Sequence, residues 1–165
     1  MAQLSSSNVY GDLLVSGDVL ASGEIRAARV FNSIYNDYAE YFEKENQNDF
    51  LDAGDIIGLS EETGKYIKAV NPKLIVGVVS DEYAHCIGGL GDGRDDLTHV
   101  PVGLAGRVNV KVVGPIHAGD LITLSDIPGV GKAVTTYVPG TVVGKALETN
   151  TQEGFKKVRM LILNA

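Results

Sequence analysis

The chain has 165 residues, an apolar fraction of 44% and a formal charge of −7, which allows one ordinary domain with its own core plus a short appendage. The charge and the scattered 14 Lys and Arg argue against a nucleic-acid partner, which needs clustered cations on phosphate. A single cysteine, Cys86, excludes an internal disulfide and a four-cysteine zinc site within one chain.

The N-terminus MAQLSSSNVYGD has no basic region followed by an apolar stretch, and no uncharged apolar run reaches the roughly 18 residues that span a bilayer. The expectation is a protein made and kept soluble, with no membrane partner. Twenty glycines, abundant Val and Ile and no Trp suit short strands joined by tight turns, so the fold class expected is all-β.

Three consecutive six-residue units begin at Gly11-Asp12, Gly17-Asp18 and Gly23-Glu24. In each, the glycine is expected at positive φ in a turn, and the following residues alternate as a strand. About twenty such residues cannot bury the apolar face of Leu13, Val15, Val19, Ala21, Ile25 and Ala27 alone. Residues 1–35 therefore read as an N-terminal anchor and β stalk whose simplest partner is another copy of itself, with a three-fold bundle the usual solution and a dimer or docking on a different protein the alternatives.

From Asn36 to Glu62 the chain is acidic, which marks the passage into a head at 36–165. Tyr35, Tyr38, Tyr41 and Phe42 recur at spacings of three and four, which fits one helical turn or a twisted edge strand equally. The head itself repeats. Ala53-Gly54-Asp55-Ile56-Ile57-Gly58-Leu59-Ser60 matches Ala118-Gly119-Asp120-Leu121-Ile122-Thr123-Leu124-Ser125. Lys68-Ala69 aligns with Lys132-Ala133, and Ile75 to Val79 with Val142 to Ala146. Each copy reads turn, strand, hairpin, strand, loop, strand, with Thr63-Gly64 and Pro128-Gly129 as the hairpin connections. Between and after the copies, strict alternation from Arg107 to Val113 and the run Lys157 to Leu163 predict two more strands. The head is expected to be a small barrel or sandwich of duplicated units.

The run Asn36 to Glu43, followed by Gly54-Asp55, Thr63-Gly64-Lys65 and Ile75 to Ser80, resembles the G2-type autocleaving intramolecular-chaperone domain at the end of phage neck-appendage and fibre proteins. Pro101 to Lys111, Gly114 to Ile116, Ala118 to Thr123 and Gly140 to Glu148 look like the C-terminal β domain shared by many fibre-like phage and bacterial surface proteins. The resemblance implies a homotrimer in a virion, assembled in the host cytoplasm, whose head helps the preceding stalk to fold. Some members of that family cut their own chain with a serine hydroxyl and nearby carboxylates, and the matching positions here are Ser33, Asp37 and Glu40. A hydroxyl attacks poorly until a base takes its proton, so a serine beside a carboxylate is a minimal device for this chemistry.

The leading expectation is a structural virion protein, a homotrimeric phage fibre or decoration subunit held to other virion proteins through its N-terminus. The alternatives are a self-cleaving chaperone domain, and an adhesin head that stacks host glycan on Tyr10, Tyr35, Tyr83 and Tyr137. Cleavage near Ser33 would release a fragment of about 32 residues, which favours a retained head over a discarded one. His85, His99 and His117, with Asp92, Asp95 or Asp96 in the glycine-rich stretch 85–96, have no recognised metal-ligand spacing. That stretch reads as a surface loop, although a trimer axis gathers three copies of any one histidine. It also lacks the Lys-Ser or Lys-Thr of a phosphate loop. No cofactor is expected.

Overall fold

The computed structural model describes residues 9–27, 36–88 and 95–163. The chain divides into two compact units, Met1–Phe31 and Asn32–Ala165.

In the first unit, residues 9–27 form no strand. Only Gly11 of the three repeat glycines takes a positive φ, at 122°. The expectation of a strand and a corner in each six-residue unit therefore fails for a single chain. The physical reason is the one the repeat itself supplies. A lone segment has no neighbour for its backbone hydrogen bonds or its apolar face, and Leu13, Leu14, Leu20 and Ile25 stand exposed.

The second unit is all-β, with ten strands among the described residues: β1 (Asp37–Glu43), β2 (Ile56–Leu59), β3 (Tyr66–Lys68), β4 (Ile75–Val79), β5 (His85–Ile87), β6 (His99–Val113), β7 (Leu121–Leu124), β8 (Gly131–Val134), β9 (Val142–Ala146) and β10 (Phe155–Ile162). One 3-10 turn at Pro72–Leu74 and a single helical turn, α1 (Asp95–Thr98), interrupt them. Pairing runs β6–β10–β9–β7–β8 and returns to β6 through Val112 opposite Gly131. That ring closes a small five-stranded barrel. Strands β4, β2 and β3 continue outward from β6, and β1 lies between β6 and β5.

The duplication read from the sequence recurs in the strand pairing and turns of the two copies. Ile57 opposes Gly77 and Gly58 opposes Ile75, with a bulge between the pairs. Ile122 opposes Gly144 and Thr123 opposes Val142, with a bulge at the same place. The Gly54 and Gly119 amides donate to the Val79 and Ala146 carbonyls, and Ser60 and Ser125 amides close their hairpins on Lys65 and Val130. The hairpin glycines, Gly64 at φ 69° and Gly129 at φ 74°, adopt the backbone that such turns demand.

The returning arm corrects one alignment. Lys68 is equivalent to Ala133, and Tyr66 to Gly131, because they oppose matching residues of β2 and β7. The Lys-Ala dipeptides line up by identity but sit one residue out of register, since hairpin length fixes the pairing.

Strand β6 fits both halves. Its second half shows the expected alternation, with Val108, Val110 and Val112 buried in the main core beside Ile122, Val158 and Met160. Its first half carries Val100 and Val102 into a smaller cluster with Ile57 and Val79, against which Phe42 and Tyr66 stack with centroids 4.3 Å apart. The segment 37–43, open between helix and edge strand in the sequence, is a strand flanked on both sides.

A buried charge sits beside this core. Asp55 is 2% exposed, and its carboxylate accepts from Lys111 Nζ at 2.8 Å and the Asp52 amide at 2.9 Å, with Lys68 Nζ at 3.0 Å. Lys111 also donates to Asp52, whose carboxyl that hydrogen bond holds below its ordinary range. Burial pulls the Lys111 ammonium down, but its two carboxylates more than reverse this and leave it above its ordinary value. Removing Lys111 strands a desolvated carboxylate. Lys111→Ala is expected to cost about 3 kcal/mol by urea denaturation, the low end for breaking a buried pair because Lys68 remains. The double change Asp55→Asn with Lys111→Met should recover most of that loss.

Candidate functional site

The first residue of β1 is Asp37, and it is buried at 2% exposure although it is a carboxylate. Its seat is built by absences. A Cβ on Gly103 would lie 2.4 Å from Asp37 Oδ2, and one on Gly106 would lie 2.8 Å from Asp37 Cα. Two glycines in β6, with an extra residue of that strand between Tyr38 and Ala39 of the register, make the room.

Across the sheet, Ser80 is also 2% exposed, and its hydroxyl donates to Asp37 Oδ1 at 2.7 Å. Asp37 Oδ2 is buried with no hydrogen-bond partner among the described residues. The backbone of the same loop holds the strand: the Ala84 amide donates to the Asp37 carbonyl at 2.9 Å, and Asn36 Nδ2 donates to the Glu82 carbonyl. A small polar recess beside the pair is lined by Asp81, Glu82, Arg107, Asn109 and Arg159.

Burial pushes the Asp37 carboxyl above its ordinary range; the Ser80 hydrogen bond opposes the shift and the charge of Asp81 adds to it. A carboxyl poised in this way exchanges a proton nearer neutrality than an exposed one does, which general acid–base work requires.

Of the three residues singled out from the sequence, Ser33 lies outside the described residues. Glu40 lies on β1 but, by strand alternation, on the face opposite Asp37. Its Cγ approaches Gly88, and it sits close enough to Tyr66 to raise that phenol, behind the larger effect of burial. The structure thus places Asp37 and Glu40 on one strand without bringing their carboxylates together, and it adds Ser80, which the sequence reading did not select.

The histidines stay apart. His85 meets the Tyr38 ring at 6.1 Å, His99 Nδ1 lies 2.7 Å from Thr98 Oγ1, and His117 Nδ1 lies 3.6 Å from Asp120 Oδ2. No group of three metal-ligating side chains occurs among the described residues; Asp92 lies outside them. The stretch 85–96 is not all loop, since it opens with β5 and ends in α1. Cys86 is half-buried and paired with Ala39 in the sheet. Tyr10 and Tyr137 are exposed, whereas Tyr83 is half-buried with its hydroxyl 3.4 Å from that of Tyr41, and Tyr35 lies outside the described residues.

The fold has counterparts of known structure. The pre-mature bacteriophage phi29 gene product 12 matches over 86% of this chain, at 17% identity and a TM-score of 0.67, but over only 24% of its own length. The phi29 gene product 12 C-terminal fragment matches over 77% of this chain and all of its own, at 18% identity and a TM-score of 0.59. No curated protein sequence matches the chain. The family model described as "Peptidase_G2, IMC autoproteolytic cleavage domain" matches residues 13–96, half of the chain, a span that includes Ser33, Asp37, Glu40 and Ser80. The chain therefore belongs to the Peptidase_G2 family of autoproteolytic cleavage domains.

Proposed function

We propose that the chain is the self-cleaving chaperone portion of a phage structural protein, and that Asp37 is the carboxyl that handles the proton in its scission. The observation that carries this reading is the buried Asp37, raised above the ordinary carboxylate range, at the head of the first strand of the second unit. Ser33, four residues upstream, is the hydroxyl it serves. The Ser33 Oγ–H proton passes to Asp37 as Oγ bonds to a backbone carbonyl carbon; the C–N bond breaks, and the nitrogen leaves with that proton as an amine. Water then hydrolyses the ester, which restores the serine and frees a carboxylate.

Assembly belongs to the same reading. The exposed Leu13, Val15, Val19 and Ile25 of the repeat's apolar face gain a partner when three copies wind together, and a homotrimer is the arrangement proposed, carried in the virion and joined to other structural proteins. That unpartnered face favours a second reading too, in which the head is retained as a trimeric fibre subunit and no bond is cut.

Denaturing electrophoresis separates the two. The first reading expects the purified full-length chain to resolve into two bands and Ser33→Ala into one. One unchanged band from the natural sequence leaves the retained head. Light scattering tests assembly, with a mass of three chains expected; a monomer with its repeat intact would overturn the trimer.

A further inference from the structure

We infer that Ser80 is a positioning residue for Asp37, which it holds in place through the loop 80–84 that straps the start of β1. This rests on Asp37 being the carboxyl of the autocleavage proposed above.

The duplicated fold supplies an internal control. Val79 and Ala146 are equivalent, since each accepts from the Gly54 or Gly119 amide and donates to the Asp55 or Asp120 carbonyl. The next residues, Ser80 and Leu147, are therefore equivalent as well, and each amide donates to the facing strand, to Pro101 and Arg159 respectively. The backbone geometry is the same, yet Leu147 is 41% exposed and Ser80 is buried. Nothing in the strand's architecture calls for a hydroxyl at this position. What distinguishes the first copy is Asp37, with its Oδ1 2.7 Å from Ser80 Oγ. The same loop grips the segment twice more, through Glu82 to Asn36 and Ala84 to Asp37. One carboxylate oxygen is thus fixed, and the other is left for the reaction.

The charged groups around the pair are Asp81 and Glu82 on the loop, Arg107 on β6 and Arg159 on β10. A hydrogen bond to the ionised carboxylate favours that form, whereas Asp81 opposes it.

The test measures the titration of the Asp37 side-chain carboxyl by carbon NMR in the full chain, together with the pH profile of self-cleavage. Ser80→Ala should move the titration and the rising limb of the profile to higher pH and slow cleavage about tenfold at a fixed pH on that limb, the effect expected from losing one charge-assisted hydrogen bond. Ser80→Thr should restore both, and Asp81→Asn, an exposed change, should move both to lower pH. A folded Ser80→Ala whose titration and profile match the natural sequence overturns the proposal. Should Ser80→Ala fail to fold, Ser80→Cys replaces it, with an upward shift expected and an unmoved titration overturning the proposal. A chain that never cuts itself removes the autocleavage reading alone, because the Asp37 titration still decides the role of Ser80.

Discussion

Gly77→Ala and Gly144→Ala should each destabilise the second unit by about 3 kcal/mol or more, at the upper end of the cost of overpacking. The two glycines are equivalent in the duplicated fold and face the same obstacle. A Cβ at Gly77 would fall 2.3 Å from the Gly103 carbonyl oxygen and 2.7 Å from Val102 Cγ1. At Gly144 it would fall 2.3 Å from the Leu161 oxygen and 2.6 Å from Met160 Sδ. Each obstacle includes backbone of the strand alongside, so no rotamer change relieves it, and separating the strands breaks the ladder that joins β4 to β6 or β9 to β10. Urea denaturation checks the size of the effect. Two controls bracket it. Gly17→Ala, with open space and no positive φ, should be neutral within about 0.5 kcal/mol. Gly64→Ala, with open space but φ +69°, should cost only the left-handed backbone penalty of about 1–2 kcal/mol.

Asp37→Asn should slow self-cleavage by about a thousandfold, the middle of the range for losing a positioned acid–base group. Asparagine keeps the shape and an accepting oxygen for Ser80, so the seat between Gly103 and Gly106 survives while the proton carrier is lost. The same substitution should flatten the dependence of stability on pH. Because burial raises the folded value of Asp37 above its unfolded value of about 3.9, the folded chain holds the proton more tightly. That contribution to stability is complete below the unfolded value and is lost as pH rises through the folded one. Urea midpoints measured from pH 4 upward should therefore fall more steeply for the natural sequence than for Asp37→Asn.

Much of this arrangement is legible in the sequence, and the reasons are particular. The Ala-Gly-Asp turns at 53–55 and 118–120 and the glycines at 64 and 129 mark the duplicated unit because tight turns tolerate few residues. The alternation from Arg107 to Val113 marks a strand buried on one face. The register of Tyr66 to Lys68 was misjudged because identity of Lys-Ala outweighed hairpin length. The tyrosines of β1 gave no clear period because Tyr38 and Tyr41, three residues apart, fall on opposite faces of the strand, one exposed and one half-buried. Asp37 was singled out only through the resemblance to the autocleaving family, as a position matching that family's carboxylates. Ser80 was missed because the sheet, and not the chain, brings it 43 residues back to Asp37. One signal pointed to it all the same: where the second copy has Leu147, the first has a serine.

The most direct test of the account is the intact mass of the purified full-length chain followed over time, for the natural sequence and for Asp37→Asn. The account predicts that the natural chain divides into two fragments whose masses place the cut near Ser33, while Asp37→Asn stays whole; a natural chain that remains a single full-length species, or an Asp37→Asn chain that divides at the same rate, would contradict it.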